Sequence, residues 1–182
     1  AESALYKAGS ELLGYDIRAE QFLPAETPAR ATFAQHTPFD PQWAVIPQEF
    51  GFHVTIGHAI TFEAGRLPEL EAAAEALLRL LDPAKPFTLT PADPYLPNEN
   101  TSLTVYYHAN PPFMMFHAMV VARLHTLGLT TPLREMLHTG QLPNMADFLR
   151  ARAETYMHYS ILDDWFPHFG VLRPVPLDRR EA

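Results

Sequence analysis

Cysteine is absent from the 182 residues. That removes disulfide frameworks, thiolate nucleophiles and any zinc site that needs a sulfur ligand. Phosphate-cradling loops are missing too, because the eight glycines are scattered and none opens a P-loop. No Gly-x-Ser-x-Gly elbow occurs either, so a serine hydrolase of that type is excluded. Basic clusters are equally scarce. Thirteen Lys and Arg face 21 Asp and Glu, for a net charge of −8, and the nearest thing to a cluster is Arg179-Arg180 between Asp178 and Glu181. Proteins that grip long nucleic acids draw most of their affinity from phosphate contacts with a basic face, so a long RNA or DNA partner is disfavoured. A small anion in one local pocket stays compatible with this charge. No apolar run reaches the ~18 residues of a membrane span; the longest, 111–122, is interrupted by His117. The start, Ala-Glu-Ser-Ala-Leu-Tyr-Lys, has no signal-peptide core, although the missing initiator Met leaves room for a trimmed leader. The expectation is a cytoplasmic protein with no membrane partner.

Hydrophobic residues make up 47% and charged residues 19%, the balance of a globular chain long enough for one domain or two small lobes sharing a core. Eighteen prolines are about twice the usual share of roughly 5% and are spread along the chain, which predicts short elements joined by stiff loops. Gly14 to Arg18 reads as a strand, followed by a proline-punctuated stretch over 24–47. Residues 52–62, Phe-His-Val-Thr-Ile-Gly-His-Ala-Ile-Thr-Phe, have the β-branched and aromatic composition of a buried strand. Leu70, Ala73, Ala74, Leu77, Leu78 and Leu81 recur at helical spacing and predict a helix over 67–81, closed by Pro83 and Pro86. Short strands are expected at 87–90 and 103–107, with a proline-rich loop over 91–100. Helices are expected at 113–127, stopped by Gly128, and at 145–156 with Asn144 as cap. The end, 159–172, has strand character around the Asp163-Asp164 pair, which reads as a solvated turn. A mixed α/β or α+β chain follows.

Nine histidines (36, 53, 58, 108, 117, 125, 138, 158 and 168) are many for this length. There is no HExxH, and His53 and His58, five apart on an expected strand, point to opposite faces, so a metal centre is not predicted. Two segments carry chemistry more directly. In Phe52-His53-Val54-Thr55-Ile56 an imidazole and a hydroxyl two residues apart share one face of a strand, a general acid or base beside a donor for phosphate oxygen. Trp165 to Leu172 contains a second histidine, His168, opening an apolar strand. Tyr106, Tyr107, Trp165 and Phe166 read mainly as core, with one of them free to stack on a base. Arg123 and Arg173 are phosphate partners only by nearness to these elements.

The two segments resemble the paired His-x-Thr/Ser motifs of the 2H phosphoesterase superfamily, the 2′-5′ RNA ligase-like and cyclic phosphodiesterase-like proteins. The resemblance covers 50–174, including the helix after the first motif, the Pro-Phe-x-Leu strand at 86–89, the strand at 103–107 and the helix at 113–127. It implies a bilobal α+β fold over 1–182, a single domain of two pseudo-symmetric lobes, with two antiparallel sheets flanking a central cleft and helices outside. It further implies a metal-independent phosphodiesterase without cofactor, acting on a 2′,3′-cyclic or 2′-5′-linked nucleotide or another small phosphorylated ligand. The catalytic set is then His53, Thr55 and His168, with Gly170, Arg173 and Tyr107 on the substrate side. Imidazole suits both proton roles because its ordinary pKa of ~6.5 lies close to working pH. Gly170 departs from the pattern by standing where the second motif carries Thr or Ser. His158-Tyr159-Ser160 keeps the serine and is the rival second motif. The departure favours an alternative, a lapsed relative that binds a nucleotide or phosphometabolite without turnover; a histidine-based metal hydrolase is a third reading.

Overall fold

The fold is that of a computed structural model, which describes residues 3–36, 38–58, 60–92, 103–142, 144–158 and 161–172. Seven α-helices and two small sheets are present among them, so the chain is α+β as expected. It divides into two compact units. The first comprises Ala1–Thr55, Pro91–His108 and Pro167–Ala182, the second Ile56–Thr90 and Ala109–Phe166.

In the first unit, helix α1 (Ala4–Leu13) starts at Ser3, whose hydroxyl accepts from the Tyr6 N–H at 3.1 Å. It ends at Gly14, whose φ of 80° only glycine adopts without strain. The buried Arg30 then satisfies the helix's last carbonyls, donating to Leu12 O at 3.0 Å and Leu13 O at 2.9 Å. Arg30 lies on helix α2 (Pro28–Phe33). A two-stranded hairpin, β1 (Tyr15–Asp16) with β2 (Gln21–Phe22), follows α1, so the strand expected over 14–18 shrinks to two residues. Helix α3 (Val45–Gln48) completes the segment.

The larger sheet has the order β3-β4-β5, from Thr90–Pro91, Leu103–His108 and His168–Leu172. Strands β4 and β5 run antiparallel with Tyr106 opposite His168, Val105 opposite Phe169 and Thr104 opposite Gly170. The register then shifts, so that Leu103 pairs with Leu172 and Val171 is bulged. One face of the sheet packs on Trp43 and Ala44 with Val171 and Leu172, and Phe169 reaches the buried Tyr6, Leu13 and Phe52.

The described residues of 52–62, which exclude Ala59, do not form the expected strand; they are irregular apart from a bridge between Thr61 and Thr130. β-composition selects a pleated environment but does not supply a partner strand. Here the carbonyl of Ile56 accepts from a buried side chain, His117 Nδ1, at 2.7 Å, and Thr61 exchanges bonds with Thr130 O at 2.8 Å and Leu129 N–H at 2.7 Å.

The second unit is helical. Helix α4 (Leu67–Leu78) ends three residues before the expected stop, with Arg79 as its C-cap. Its apolar stripe is thinly covered, since only Ala73 is buried and Leu78 is exposed. Helix α5 (Pro111–His125) begins two residues earlier than expected because Asn110 caps it, accepting from the Phe113 N–H at 2.9 Å. Helix α6 (Pro132–His138) is an addition to the expected list, capped by the buried Thr131. Helix α7 (Asp147–Tyr156) has Ala146 rather than Asn144 at its N-cap. Four helices, α2, α4, α5 and α6, carry proline at their first positions, where the missing N–H costs nothing. A share of the prolines thus starts helices instead of stiffening loops. The core of this unit gathers Phe113, Phe116, Val120 and Val121 of α5 with Ala153 of α7 and Trp165.

Gly9 faces the Phe52 ring, and a Cβ there would lie 2.3 to 2.4 Å from three of its carbons. Gly9→Ala is expected to push Phe52 off its seat and lower the unfolding free energy by about 1–3 kcal/mol. A urea titration of the two proteins, read by intrinsic fluorescence, checks this.

Candidate active site

On a strand, alternate side chains share a face. His168, Gly170 and Leu172 of β5 therefore emerge together with their cross-strand neighbours Tyr106 and Thr104 of β4. These five residues line one cavity of about 240 Å³. His53 lines it too, although it stands more than a hundred residues before β5 in the chain, and Ile46, Pro47, Phe50 and Gly51 close the apolar side. No Lys, Arg, Asp or Glu is among these lining residues. Its polar character comes from two imidazoles and two hydroxyls.

His53 is held by its own loop. Gly51 adopts φ 66°, and a Cβ there would meet Ile17 Cβ at 2.6 Å, so glycine is needed for both conformation and space. The carbonyl of Gly51 lies 2.9 Å from His53 Nδ1. A carbonyl only accepts, so Nδ1 carries the proton. In the neutral ring Nε2 is then the acceptor, and it meets the Thr55 hydroxyl at 3.1 Å. Thr55 is thus engaged with His53 and is not among the residues lining the cavity. Phe50 leans on the imidazole with ring centroids 6.3 Å apart.

His168 is half-buried behind the fully buried Pro167, and its ring lies 5.4 Å from that of Tyr106. The Tyr107 N–H donates to Pro167 O at 2.9 Å, fixing where β5 begins. Both histidines are flanked by members of one aromatic stack: Phe52 and Phe169 lie parallel at 4.3 Å and 3°.

Two expected substrate contacts fall elsewhere. Tyr107 points to the opposite face of β4, buried edge-on against Phe169 at 5.5 Å, where it lines a separate apolar cavity of about 630 Å³. A one-residue slip along a strand reverses the face, so Tyr106, not Tyr107, joins the histidines. Arg173 lies outside the described residues. Arg123 sits exposed on α5, in the second unit. Thr104 and Tyr106 were legible only through the alternation of 103–107, which needs the neighbouring strand to say which face matters.

The remaining histidines sort differently. His117 is fully buried and stacked on Trp165 at 4.1 Å; its Nδ1–H serves Ile56 O, and Nε2 accepts from the Leu162 N–H at 3.1 Å. Burial holds its pKa below imidazole's ordinary value. It is a core residue. His158, of the rival motif, lies face to face with His58 at 3.5 Å, and burial and then the His58 charge push it down to about 4. Tyr159 and Ser160 lie outside the described residues. His138 pairs with Glu154 at 3.0 Å on the surface. Among the described residues, no three or more His, Asp or Glu side chains gather closely enough to hold a metal ion, and no helix is long and apolar enough to cross a membrane. Comparison of the chain with protein-family models, with curated proteins and with solved structures finds no match.

The His58–His158 stack makes stability depend on pH. The folded His158 resists protonation down to about 4, whereas the unfolded imidazole takes a proton near 6.5. Stability is therefore complete above 6.5 and falls as pH drops from 6.5 toward 4. Between pH 7 and 5 the loss from this group is on the order of 1–2 kcal/mol. Denaturant titrations at the two pH values are expected to show it, and His158→Phe, which keeps a stacking ring, is expected to remove most of it.

Proposed function

We propose that the chain is a metal-independent phosphodiesterase that cleaves, or in reverse forms, a phosphodiester such as a 2′,3′-cyclic nucleotide by two-histidine acid–base catalysis. The observation that carries this reading is that His53 and His168 line one small cavity with hydroxyl-bearing neighbours. Their motifs bear the resemblance to the 2H phosphoesterases.

The tautomer of His53 supports one assignment of the roles. His53, protonated at Nδ1 toward Gly51 O, presents Nε2 as the base. A water in the cavity, taking the place of the Thr55 hydroxyl as the partner of Nε2, gives its proton to Nε2 as its oxygen bonds to phosphorus. His168, entering the cycle protonated, donates to the departing ribose oxygen as the P–O bond breaks. The imidazolium of His168 also sets a positive charge against the phosphate, as no Lys or Arg is among the described lining residues. At about 240 Å³ the cavity lies just under the usual range of ligand pockets, roughly 300–1,000 Å³, and suits the phosphate with one adjoining group. The net charge of −8 fits a small substrate better than a polynucleotide.

Turnover of a 2′,3′-cyclic nucleotide, measured with EDTA present, tests this. His53→Ala and His168→Ala are each expected to lower kcat by about 10²–10⁴. Wild-type turnover that both substitutions leave untouched, or that EDTA abolishes and zinc restores, overturns the mechanism. A wild type that binds the nucleotide, seen as a thermal shift, yet never turns it over marks a binding protein instead.

A further inference from the structure

The His-x-Thr/Ser pattern is interrupted at Gly170, yet the sheet places a hydroxyl beside the gap. Thr104 is the direct cross-strand partner of Gly170, and both line the cavity that holds His53 and His168. Residues opposite each other in an antiparallel pair project from the same face, with Cβ positions about 4.5–5.5 Å apart. A hydroxyl on Thr104 thus reaches much of the space that a side chain at 170 would use. Thr104 is also only 7% exposed, a degree of burial unusual for a polar side chain on a short sheet and consistent with a fixed rotamer. Position 170 itself shows no structural need for glycine. Its φ is not in the left-handed region, and a Cβ there would meet nothing within 4 Å.

We infer that Thr104 is the phosphate-oxygen donor of the second half-site, supplying from β4 the hydroxyl that β5 lacks at Gly170. The inference rests on the phosphodiesterase reading of this cavity. Under it, Thr104 Oγ1–H points at a nonbridging oxygen and stabilises the charge that develops there as the leaving oxygen departs from phosphorus. The half-site is then His168 with Thr104, adjacent in space and 64 positions apart along the chain (168 against 104).

The test exchanges the hydroxyl between strands. Thr104→Val removes only the hydroxyl and keeps the shape; it is expected to lower kcat for a 2′,3′-cyclic nucleotide by about 10²–10³. Thr104→Ser is expected to stay within about tenfold of wild type. Adding Gly170→Thr to Thr104→Val, which places a hydroxyl back on the same face from the other strand, is expected to recover at least about tenfold of the loss. A Thr104→Val protein with wild-type kcat/KM, while His53→Ala and His168→Ala remain inactive, overturns the role of Thr104 and leaves the histidine mechanism standing. If the histidine variants are as active as wild type, the mechanism itself fails first. A second readout needs no turnover: calorimetric binding of a 2′-nucleotide is expected to weaken at least about fivefold in Thr104→Val and to return in the double variant, and equal affinity in all three overturns the proposal. Should valine unfold the strand, Thr104→Ala against Thr104→Ser makes the same comparison, because only serine keeps the hydroxyl.

Discussion

The parallel stack of Phe52 on Phe169, 4.3 Å apart, holds the candidate site in place. Phe52 directly precedes His53, and Phe169 directly follows His168, so one aromatic contact fixes the chain on the inner side of both histidines. Around the stack, Tyr6 meets Phe52 at 6.5 Å and Tyr107 meets Phe169 at 5.5 Å, each ring edge to face. Such pairs contribute about 0.5–1.5 kcal/mol each beyond the area they bury. The stack needs α1 to come close, and the bare Cα of Gly9 allows it. Remove that fit and the loop bearing His53 loses its anchor to the strand bearing His168.

Across the sheet from this aromatic layer, the cavity is built from groups without fixed charge. Among the described lining residues there is no Lys or Arg, so under the proposed function an anion there draws on a protonated imidazole. Under the proposed function this favours a diester with one negative charge over a monoester with two, since one imidazolium balances one charge. At the bulge, Leu172 lines this cavity and Val171 the apolar cavity on the other side, while both pack with Trp43 and Ala44.

The histidines show how little a residue's identity says before folding. His117 is buried, doubly hydrogen-bonded and stacked on Trp165, which makes it a neutral structural member of the helical unit. His158 stands in a motif-like His-x-Ser setting, yet it pairs with His58, and burial keeps it unprotonated at neutral pH. His53 differs from both through one contact, the Gly51 carbonyl on Nδ1, which leaves Nε2 turned to a hydroxyl. Environment, not sequence context, separates the three.

What the sequence determined by itself was local. The α+β class, the helices near 67–78 and 111–125, the strand at 103–108 and the last strand at 168–172 follow from periodicity, caps and breakers acting within a few residues. The choice of His53 and His168 rested likewise on short motifs. Tertiary structure decided everything that needed a partner. Residues 52–62 have strand composition, but among the described ones Thr61 alone bridges to a neighbour, Thr130, and Ile56 bonds to the His117 side chain instead. Helix α1 depends on Arg30, which bonds its last carbonyls from a distant segment, a contact visible only after folding, whereas the Thr131 cap of α6 is local and lies within reach of the sequence. The exchange of Tyr107 for Tyr106, and the arrival of Thr104 opposite Gly170, depend on strand register. Register is set by which face meets the core, and that is fixed by packing between segments far apart in the chain.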